Sequence, residues 1–391
     1  MDKICDFDKC TGCGLCASSC AKGCISMSKR DSLGHLYPII NAESCIDCGL
    51  CQKKCPVLNP VVLNLPTAAY AVWSRDEEDY KSSTSGGAAS VISQYVIENG
   101  GVVYGCAMLP DIEVKHIRVD NISDIKKLKG SKYVQSNMED VYPQLKEDVK
   151  SGRLTLFVGT PCQVAAVKKL FKDQPDNLIL VDLICHGVPS LDILKKHIKR
   201  VVPYPHYSNV SFRDGNLNRV CLKVEVDGDA VYSRYHNPRN RRYDEWYIDT
   251  FLDGYTYRDS CYHCQFACEK RGSDITIGDF WGLGKNTPAD DIPAHPNGCS
   301  VVLPSTETGN KVIEAISSKV YLYKRTVKEA AEGNGQLNRP VILGKRRRIF
   351  RRLFPLIGRF AYKLLIFDKY IIYRYVPSRL LDMLVKKVRK G

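Results

Sequence analysis

The stretch Cys10-Thr-Gly-Cys13-Gly-Leu-Cys16-Ala-Ser-Ser-Cys20 decides how the N-terminal part of this chain folds. It returns as Cys45-Ile-Asp-Cys48-Gly-Leu-Cys51-Gln-Lys-Lys-Cys55-Pro56. Thiolates wrapped on one short loop seat three corners of an iron–sulfur cube, and the fourth cysteine of such a run points away to ligate the other cluster. The spacing therefore assigns Cys10, Cys13, Cys16 and Cys55 to one 4Fe–4S cluster, and Cys45, Cys48, Cys51 and Cys20 to a second. A zinc site needs only two C-x-x-C pairs, which leaves two identical four-cysteine runs unexplained. Cys5 and Cys24 have no place in this count and read as free thiols, buried or solvent-facing. Two clusters held close together pass single electrons, so the chemistry is redox.

Over residues 1–60 the pattern resembles the bacterial two-cluster ferredoxin, with Ala21 standing where that family has proline after the fourth cysteine and Pro56 retained in the second half. The chain has 391 residues and is 44% apolar, enough to bury a sizeable core in two or three domains. Its 18 cysteines do not read as a disulfide framework, which belongs to small secreted chains. Met1-Asp2-Lys3 leads straight into the motif without an apolar signal segment, so a reducing cytoplasm is the expected compartment. No run of about 18 apolar residues is present to span a membrane.

The net charge of +14 is localised. From Val341 onward fifteen Lys or Arg face only Asp368 and Asp382, while residues 1–340 carry 42 basic and 41 acidic side chains. Three regions follow: residues 1–60 as the cluster module, 67–335 as a second domain behind an extended Pro56–Pro66 linker, and 341–391 as a basic helical tail. Strand-like Ala68–Trp73, Gly101–Leu109, Leu154–Gly159 and Leu178–Ile184 alternate with helix-like Gly86–Glu98, Glu139–Lys150, Cys162–Lys172 and Leu191–Val201. This alternation predicts an α/β domain on a mixed sheet, α+β overall once the module and tail are added. Val210–Arg213, Val220–Val226 and Ala230–Tyr235 read as antiparallel strands inserted into it.

Several later motifs bear on chemistry. Ser82-Ser83-Thr84-Ser85-Gly86-Gly87 precedes a helix, where hydroxyls, free N–H groups and glycines suit a phosphate or pyrophosphate; Ser and Thr also simply cap helices. Cys162 (in Gly159-Thr160-Pro161-Cys162-Gln163) and Cys185 (in Cys185-His186-Gly187) each end a predicted strand, the edge where α/β proteins place ligands. With Cys261-x-x-Cys264 they total four thiolates, the number a further cluster needs; equally, both are small enough to be core residues.

The order of a two-cluster module, S-S-G-G, G-S-K-Y-V-Q-S, G-T-P-C-Q, C-H-G, C-x-x-C and S-D-I-x-x-G-D resembles the beta-subunit family of coenzyme F420 hydrogenases and dehydrogenases, over roughly residues 1–300. The resemblance implies FAD in the α/β domain and a third 4Fe–4S cluster beside it. It carries Cys162, Cys185, Cys261 and Cys264 over as cluster ligands. Ser83, Ser85, Gly86, Gly87, Lys132, Gln135 and Ser136 match flavin-site segments, and Asp279 lies in a motif near the same site. Cys268, four residues after Cys264, departs from the pattern as a competing thiol.

The expected function is that of an iron–sulfur flavin-dependent oxidoreductase, with two-electron chemistry at FAD and single electrons passing through the clusters. A deazaflavin, a ferredoxin-like protein or a partner subunit is the expected redox partner, and a role in a surface-polysaccharide pathway is open. The alternative is a non-catalytic relay subunit of a larger redox complex. No catalytic side chain stands out; His186 reads as a proton relay or a structural histidine. The tail interleaves Arg346, Arg347, Arg348, Arg351, Arg352, Arg359 and Lys363 with Phe350, Leu353, Phe354, Leu356, Ile357, Phe360, Leu364 and Phe367. Such a helix suits an anionic membrane surface at the inner face of the membrane, or docks on the body with a solvated basic side. A nucleic-acid partner is not expected, because the body offers no basic groove.

Overall fold

A computed structural model describes residues 3–214, 219–237 and 246–375, with side chains to residue 367. The end of the basic tail, 376–391, lies outside the described residues. In the N-terminal module, β1 (Ile25–Lys29) and β2 (Leu36–Ile40) form an antiparallel hairpin beside short helices Leu15–Ser18 and Leu50–Lys54, each carrying the third cysteine of its run.

The main sheet uses β3 (Ala69–Ser74), β4 (Val102–Leu109), β5 (Glu113–Val119), β6 (Thr155–Gly159) and β7 (Leu178–Leu183). The chain then forms a separate three-stranded antiparallel sheet from β8 (Asn209–Asp214), β9 (Arg219–Val226) and β10 (Asp229–Tyr235). It returns to the main sheet with β11 (Ile275–Asp279), β12 (Ser300–Pro304) and β13 (Val320–Arg325). The eight-stranded order is β13-β3-β12-β11-β7-β6-β4-β5, with β4, β6, β7 and β11 parallel to their neighbours in that series. The expected α/β class thus holds, and the three inserted strands make a sheet of their own.

Burial explains which strands lie centrally. β6 and β7 read Thr-Leu-Phe-Val-Gly and Leu-Ile-Leu-Val-Asp-Leu and are covered on both faces, as interior parallel strands require. One face packs Val91, Ile92, Val96, Ile179, Val181 and Ile277. The other packs Tyr104, Tyr142, Leu145, Phe157, Val164 and Leu180. Each such side chain contributes about 1.5–3 kcal/mol relative to exposure. Two strands that the sequence did not single out close the edges: β5 (Glu-Val-Lys-His-Ile-Arg-Val), which carries several charges, and β13 (Val-Tyr-Leu-Tyr-Lys-Arg). The central β11 and β12 were also not singled out, although both are largely buried.

The tail docks on the body by one side. Helix Lys345–Ile357 and the helix that follows at Phe360–Tyr375 pack against the body through Phe350, Ala361, Tyr362 and Ile366, which join the core around Trp246 and Tyr255. Arg351 pairs with Asp259 at 2.5 Å, and Arg347 donates to the Asp253 carbonyl at 2.6 Å. The opposite side leaves Leu356, Phe360, Leu364 and Phe367 more than half exposed. Among the described residues no helix is long and apolar enough to cross a membrane.

A buried ion pair holds the cysteine-rich segment 261–268 to the sheet. Arg271 and Asp182 are both almost wholly buried and lie 3.0 Å apart. Arg271 also donates to the carbonyl of Phe266 at 3.0 Å and to Thr276 Oγ1 at 2.9 Å. Removing one partner strands a buried charge, which costs about 3–5 kcal/mol. Arg271→Met is therefore expected to destabilise the protein by about that amount, read as a lower denaturation midpoint by far-ultraviolet circular dichroism. The exposed change Lys311→Met, at a surface pair with Glu307, is expected to leave the midpoint unchanged.

Candidate functional site

The two expected thiol sets each ring a cavity in the N-terminal module. Cys10, Cys13, Cys16 and Cys55 line the first, and Cys20, Cys45, Cys48 and Cys51 line the second. The grouping follows the spacing rule, with Cys55 and Cys20 each crossing to the other run's site. Gly14 and Gly49 sit in the left-handed region immediately before the two short helices, which turns the third cysteine of each run inward. Among the described residues no three or more His, Cys, Asp or Glu converge as a ligand set for a single metal ion. The thiols surround open space instead, a donor set and shape that suit a multi-atom cube.

Each cavity holds a fifth thiol. Cys5 lines the first, and Cys24 lines the second with its sulfur 3.3 Å from Cys20 Sγ. Both thus lie beside the ligand sets, although the spacing rule leaves them out. Hydrogen bonding from Cys5 draws Cys10 down to about 7, with the Arg258 guanidinium acting in the same direction against burial. The same thiol draws Cys55 down to about 6.

Cys162 and Cys185 lie at the C-terminal edge of the parallel strands. Thr160 caps helix Pro161–Leu170 through a capping box with Gln163, and this sets Cys162 in the first turn directly after β6. Cys185 follows β7. Gly187 continues that loop with φ +128°, and a Cβ there would lie 2.4 Å from the Tyr257 ring, so the loop closes on the segment leading to Cys261. Burial pushes Cys162 and Cys185 upward, Cys261 up to about 12 and Cys264 up to about 11. The sulfurs of Cys162, Cys261 and Cys264 lie within electrostatic range of Cys185 and each add to its rise. Cys268 instead directs its sulfur at the carbonyls of Gln265 and Lys270.

The N-terminal module is seated on this edge. His35 Nε2 bonds the Val188 carbonyl at 3.1 Å, Ser190 donates to the Leu33 carbonyl, and Tyr142 donates to the Cys13 carbonyl at 2.7 Å. Burial raises Cys13 to about 12, and Cys162 is close enough to contribute to that rise. The first thiol ring and the Cys162 group therefore adjoin.

The flavin-site segments expected from the resemblance divide. Gly86 allows close approach, but to the sheet: a Cβ would lie 2.0 Å from the Val72 carbonyl oxygen. Gly87, at φ +82°, caps helix Ala88–Glu98, and Ser83 donates to the Asp79 carbonyl at 2.7 Å. Ser85 Oγ is buried with no hydrogen-bond partner. Lys132 donates to the carbonyls of Leu128 and Lys129, and burial draws it down to about 8. Gln135 donates to the Thr11 carbonyl at 3.0 Å and so faces the N-terminal module. Ser136 sits between His116 Nδ1 (3.0 Å) and Gln163 Nε2 (2.9 Å).

Asp279, at the end of β11, pairs with Arg213 at 3.1 Å, and Arg213 also donates to the Thr84 carbonyl at 3.1 Å. The guanidinium lies 5.7 Å from the ring centre of Trp281, which is 45% exposed. Lys129 reaches Asp79 and Ser82 at 2.6 Å each. Sequence reading missed Arg213 and Lys129, because neither lies in a motif and Arg213 arrives from the separate small sheet. It also missed Arg258, although an arginine three residues before Cys261 was a usable cue.

Comparison with known proteins agrees with this architecture. Residues 9–59 match the family described as 4Fe-4S dicluster domain, and residues 152–330 match the family described as the C terminus of the coenzyme F420 hydrogenase/dehydrogenase beta subunit. The second match includes Cys162, Cys185, Arg213, Cys261, Cys264 and Asp279, while Ser83–Gly87 and Lys132–Ser136 precede it. No curated protein matches significantly. Among solved structures, the chain is similar to one from the xenon-derivatised F420-reducing NiFe hydrogenase complex of Methanosarcina barkeri. That similarity is 18% identity over 70% of this chain and 91% of the other, with a TM-score of 0.45. This chain thus joins a segment that matches the 4Fe–4S dicluster domain to one that matches the C terminus of the coenzyme F420 hydrogenase/dehydrogenase beta subunit.

Proposed function

We propose that the chain is an iron–sulfur flavoprotein oxidoreductase with three 4Fe–4S sites and one FAD site. The observation that carries this reading is the pair of thiol-lined cavities, one ringed by Cys10, Cys13, Cys16 and Cys55 and the other by Cys20, Cys45, Cys48 and Cys51. Cys162, within electrostatic range of Cys13, and Cys185, Cys261 and Cys264 extend the series in the proposal. Bound FAD would supply exchange of two electrons with an organic partner and their release one at a time to clusters.

The chain's own residues support a dinucleotide at the far end of that series. Thr84, Arg213 and Asp279 are linked by hydrogen bonds, Ser85 holds an unused hydroxyl in a buried position, and Lys129 brings a cation to Ser82. Fixed cations beside a helix N-terminus suit phosphate oxygens. His186 is exposed at this edge, is lowered by desolvation and lies near enough to Asp279 to feel its charge, which suits a neutral imidazole holding or passing a proton there. The redox partner this arrangement suits is a deazaflavin or a ferredoxin-type protein. The relay alternative is favoured by the exposed Cys48 end, which leaves one cluster site open to a partner protein.

The half-docked tail supports a peripheral position at an anionic membrane. Leu356, Phe360, Leu364 and Phe367 stand clear of the body among Arg352, Arg359 and Lys363, a combination that lies in a lipid interface.

Anaerobically purified protein is expected to hold about twelve iron atoms, the content of three cubes. Cys13→Ser, Cys48→Ser and Cys162→Ser are each expected to lose roughly one cluster's worth, with a different electron paramagnetic resonance signal missing in each. Zinc without iron in such protein would end the reading, and full iron content in Cys162→Ser would make that cysteine a core residue.

Released flavin is expected to be FAD by mass, and Arg213→Ala to lower its content several-fold while iron stays constant. Protein that remains flavin-free after reconstitution with FAD would leave only the relay function.

In vesicle sedimentation, the protein is expected to pellet with phosphatidylserine-containing vesicles and to be released as salt screens the attraction. Leu364→Glu combined with Phe367→Glu is expected to abolish binding without loss of bound iron. Undiminished binding by that variant would remove the membrane from the reading.

A further inference from the structure

We propose that Arg258 is the shared internal counter-ion of two iron–sulfur sites, setting the reduction potentials of the Cys10/Cys13/Cys16/Cys55 site and of the adjoining Cys162/Cys185/Cys261/Cys264 site together. The second half of this statement rests on the three-cluster reading above; the first half does not.

Position is the first part of the argument. Arg258 is 1% exposed and lies between the two thiol groups. Its Nη1 donates to the carbonyl of Cys10 at 3.2 Å, its Nη2 to the carbonyl of Leu36, and its Nε to Gln135 Oε1 at 3.1 Å. The guanidinium stacks over the Tyr37 ring, 4.3 Å from the centroid. On its main chain, the Arg258 carbonyl accepts from the Cys261 N–H at 3.0 Å, and its own N–H donates to Val188, three residues past Cys185. A continuous line of covalent and hydrogen bonds therefore runs from ligand Cys10 to ligand Cys261 through one side chain. The first cysteine loop is shaped to admit it. Gly12 has φ +65°, and a Cβ there would lie 2.4 Å from Arg258 Nη2.

Charge is the second part. Every hydrogen-bond acceptor of the guanidinium is a neutral carbonyl or amide oxygen. The nearby carboxylates do not bond the guanidinium: Asp31 bonds His35 at 2.8 Å and acts on Arg258 only through space, and Asp259 pairs with Arg351 at 2.5 Å. A buried cation with no carboxylate in contact is short of compensating charge. Thiolate-bound clusters would supply it, because metal coordination deprotonates a thiol outright. Net charge and hydrogen bonding around a cluster set its potential. A fixed positive charge stabilises the added electron on either site, and movement of that electron between the two leaves the total charge beside Arg258 unchanged.

The test is a redox titration, followed by electron paramagnetic resonance, of the anaerobically purified full chain, its Arg258→Met variant and its Arg258→Lys variant, with iron counted in each. Signals are assigned by Cys13→Ser, Cys48→Ser and Cys162→Ser. Arg258→Met is expected to shift the potentials of the Cys13 and Cys162 signals downward and to leave the Cys48 signal in place. Arg258→Lys, which keeps the charge, is expected to restore most of the shift. Unmoved potentials, or an equal shift of all signals, would overturn the proposal. If iron counts show only two clusters, the three-cluster reading fails, and the Cys13 signal alone still decides the role of Arg258. If Arg258→Met yields no folded protein, Arg258→Gln, which keeps an amide donor for the Cys10 carbonyl, supplies the uncharged arm.

Discussion

The seating of the N-terminal module on the C-terminal edge of the parallel strands is the contact on which the rest of the molecule depends. It is made from buried polar groups. His35 reaches the Val188 carbonyl, Gln135 the Thr11 carbonyl, Tyr142 the Cys13 carbonyl, and Arg258 the carbonyls of Cys10 and Leu36. Backbone carbonyls of a tight cysteine loop cannot all be satisfied within the loop, and a buried unsatisfied group costs about 1–3 kcal/mol. Side chains from the larger domain fill that need. The module is consequently fixed in one orientation, with Cys13 turned toward Cys162.

That edge is also where the parallel topology delivers chemistry. β6, β7 and β11 are adjacent and run the same way, so Cys162, Cys185 and Asp279 leave the sheet side by side although more than a hundred residues separate the first from the last. Short excursions after each strand then determine what is displayed. The capping box at Thr160 and Gln163 turns the chain into a helix at once, whereas the loop at Gly187 carries it toward Tyr257 and the Cys261–Cys264 segment. The Arg271–Asp182 pair ties the end of that segment back to β7, which places both ends of the cysteine constellation under the control of the sheet.

Electrostatics differ between the two ends of this arrangement. Beside the thiol groups Arg258 is a buried cation bonded to carbonyl and amide oxygens, while the Thr84–Asp279 region contains Arg213 paired with Asp279 and Lys129 paired with Asp79. A cation already paired holds loops in place and retains part of its capacity for an anionic group. A cation bonded only to neutral oxygens depends on the charge of what binds next to it. The tail adds a third regime, in which cations beside exposed Leu356, Phe360, Leu364 and Phe367 remain in contact with water.

By itself the sequence determined the N-terminal thiol sets, because ligand spacing on a short loop is a local geometric property. For the same reason the spacing expects Cys20 and Cys55 to exchange sites, and each lines the cavity of the other run. It also marked β6, β7 and their flanking helices, whose apolar runs are long enough to read without knowing their neighbours. Only the tertiary structure decided what Cys5 and Cys24 lie against, and that Gly86 serves contact with Val72. It also turned Gln135 toward Thr11 and brought Arg213 to Asp279 and Arg258 to Cys10. These are pairings between residues far apart in the chain. Local pattern carries no information about them, because the free energy that selects each one comes from satisfying a buried polar group or charge that some other segment has left without a partner.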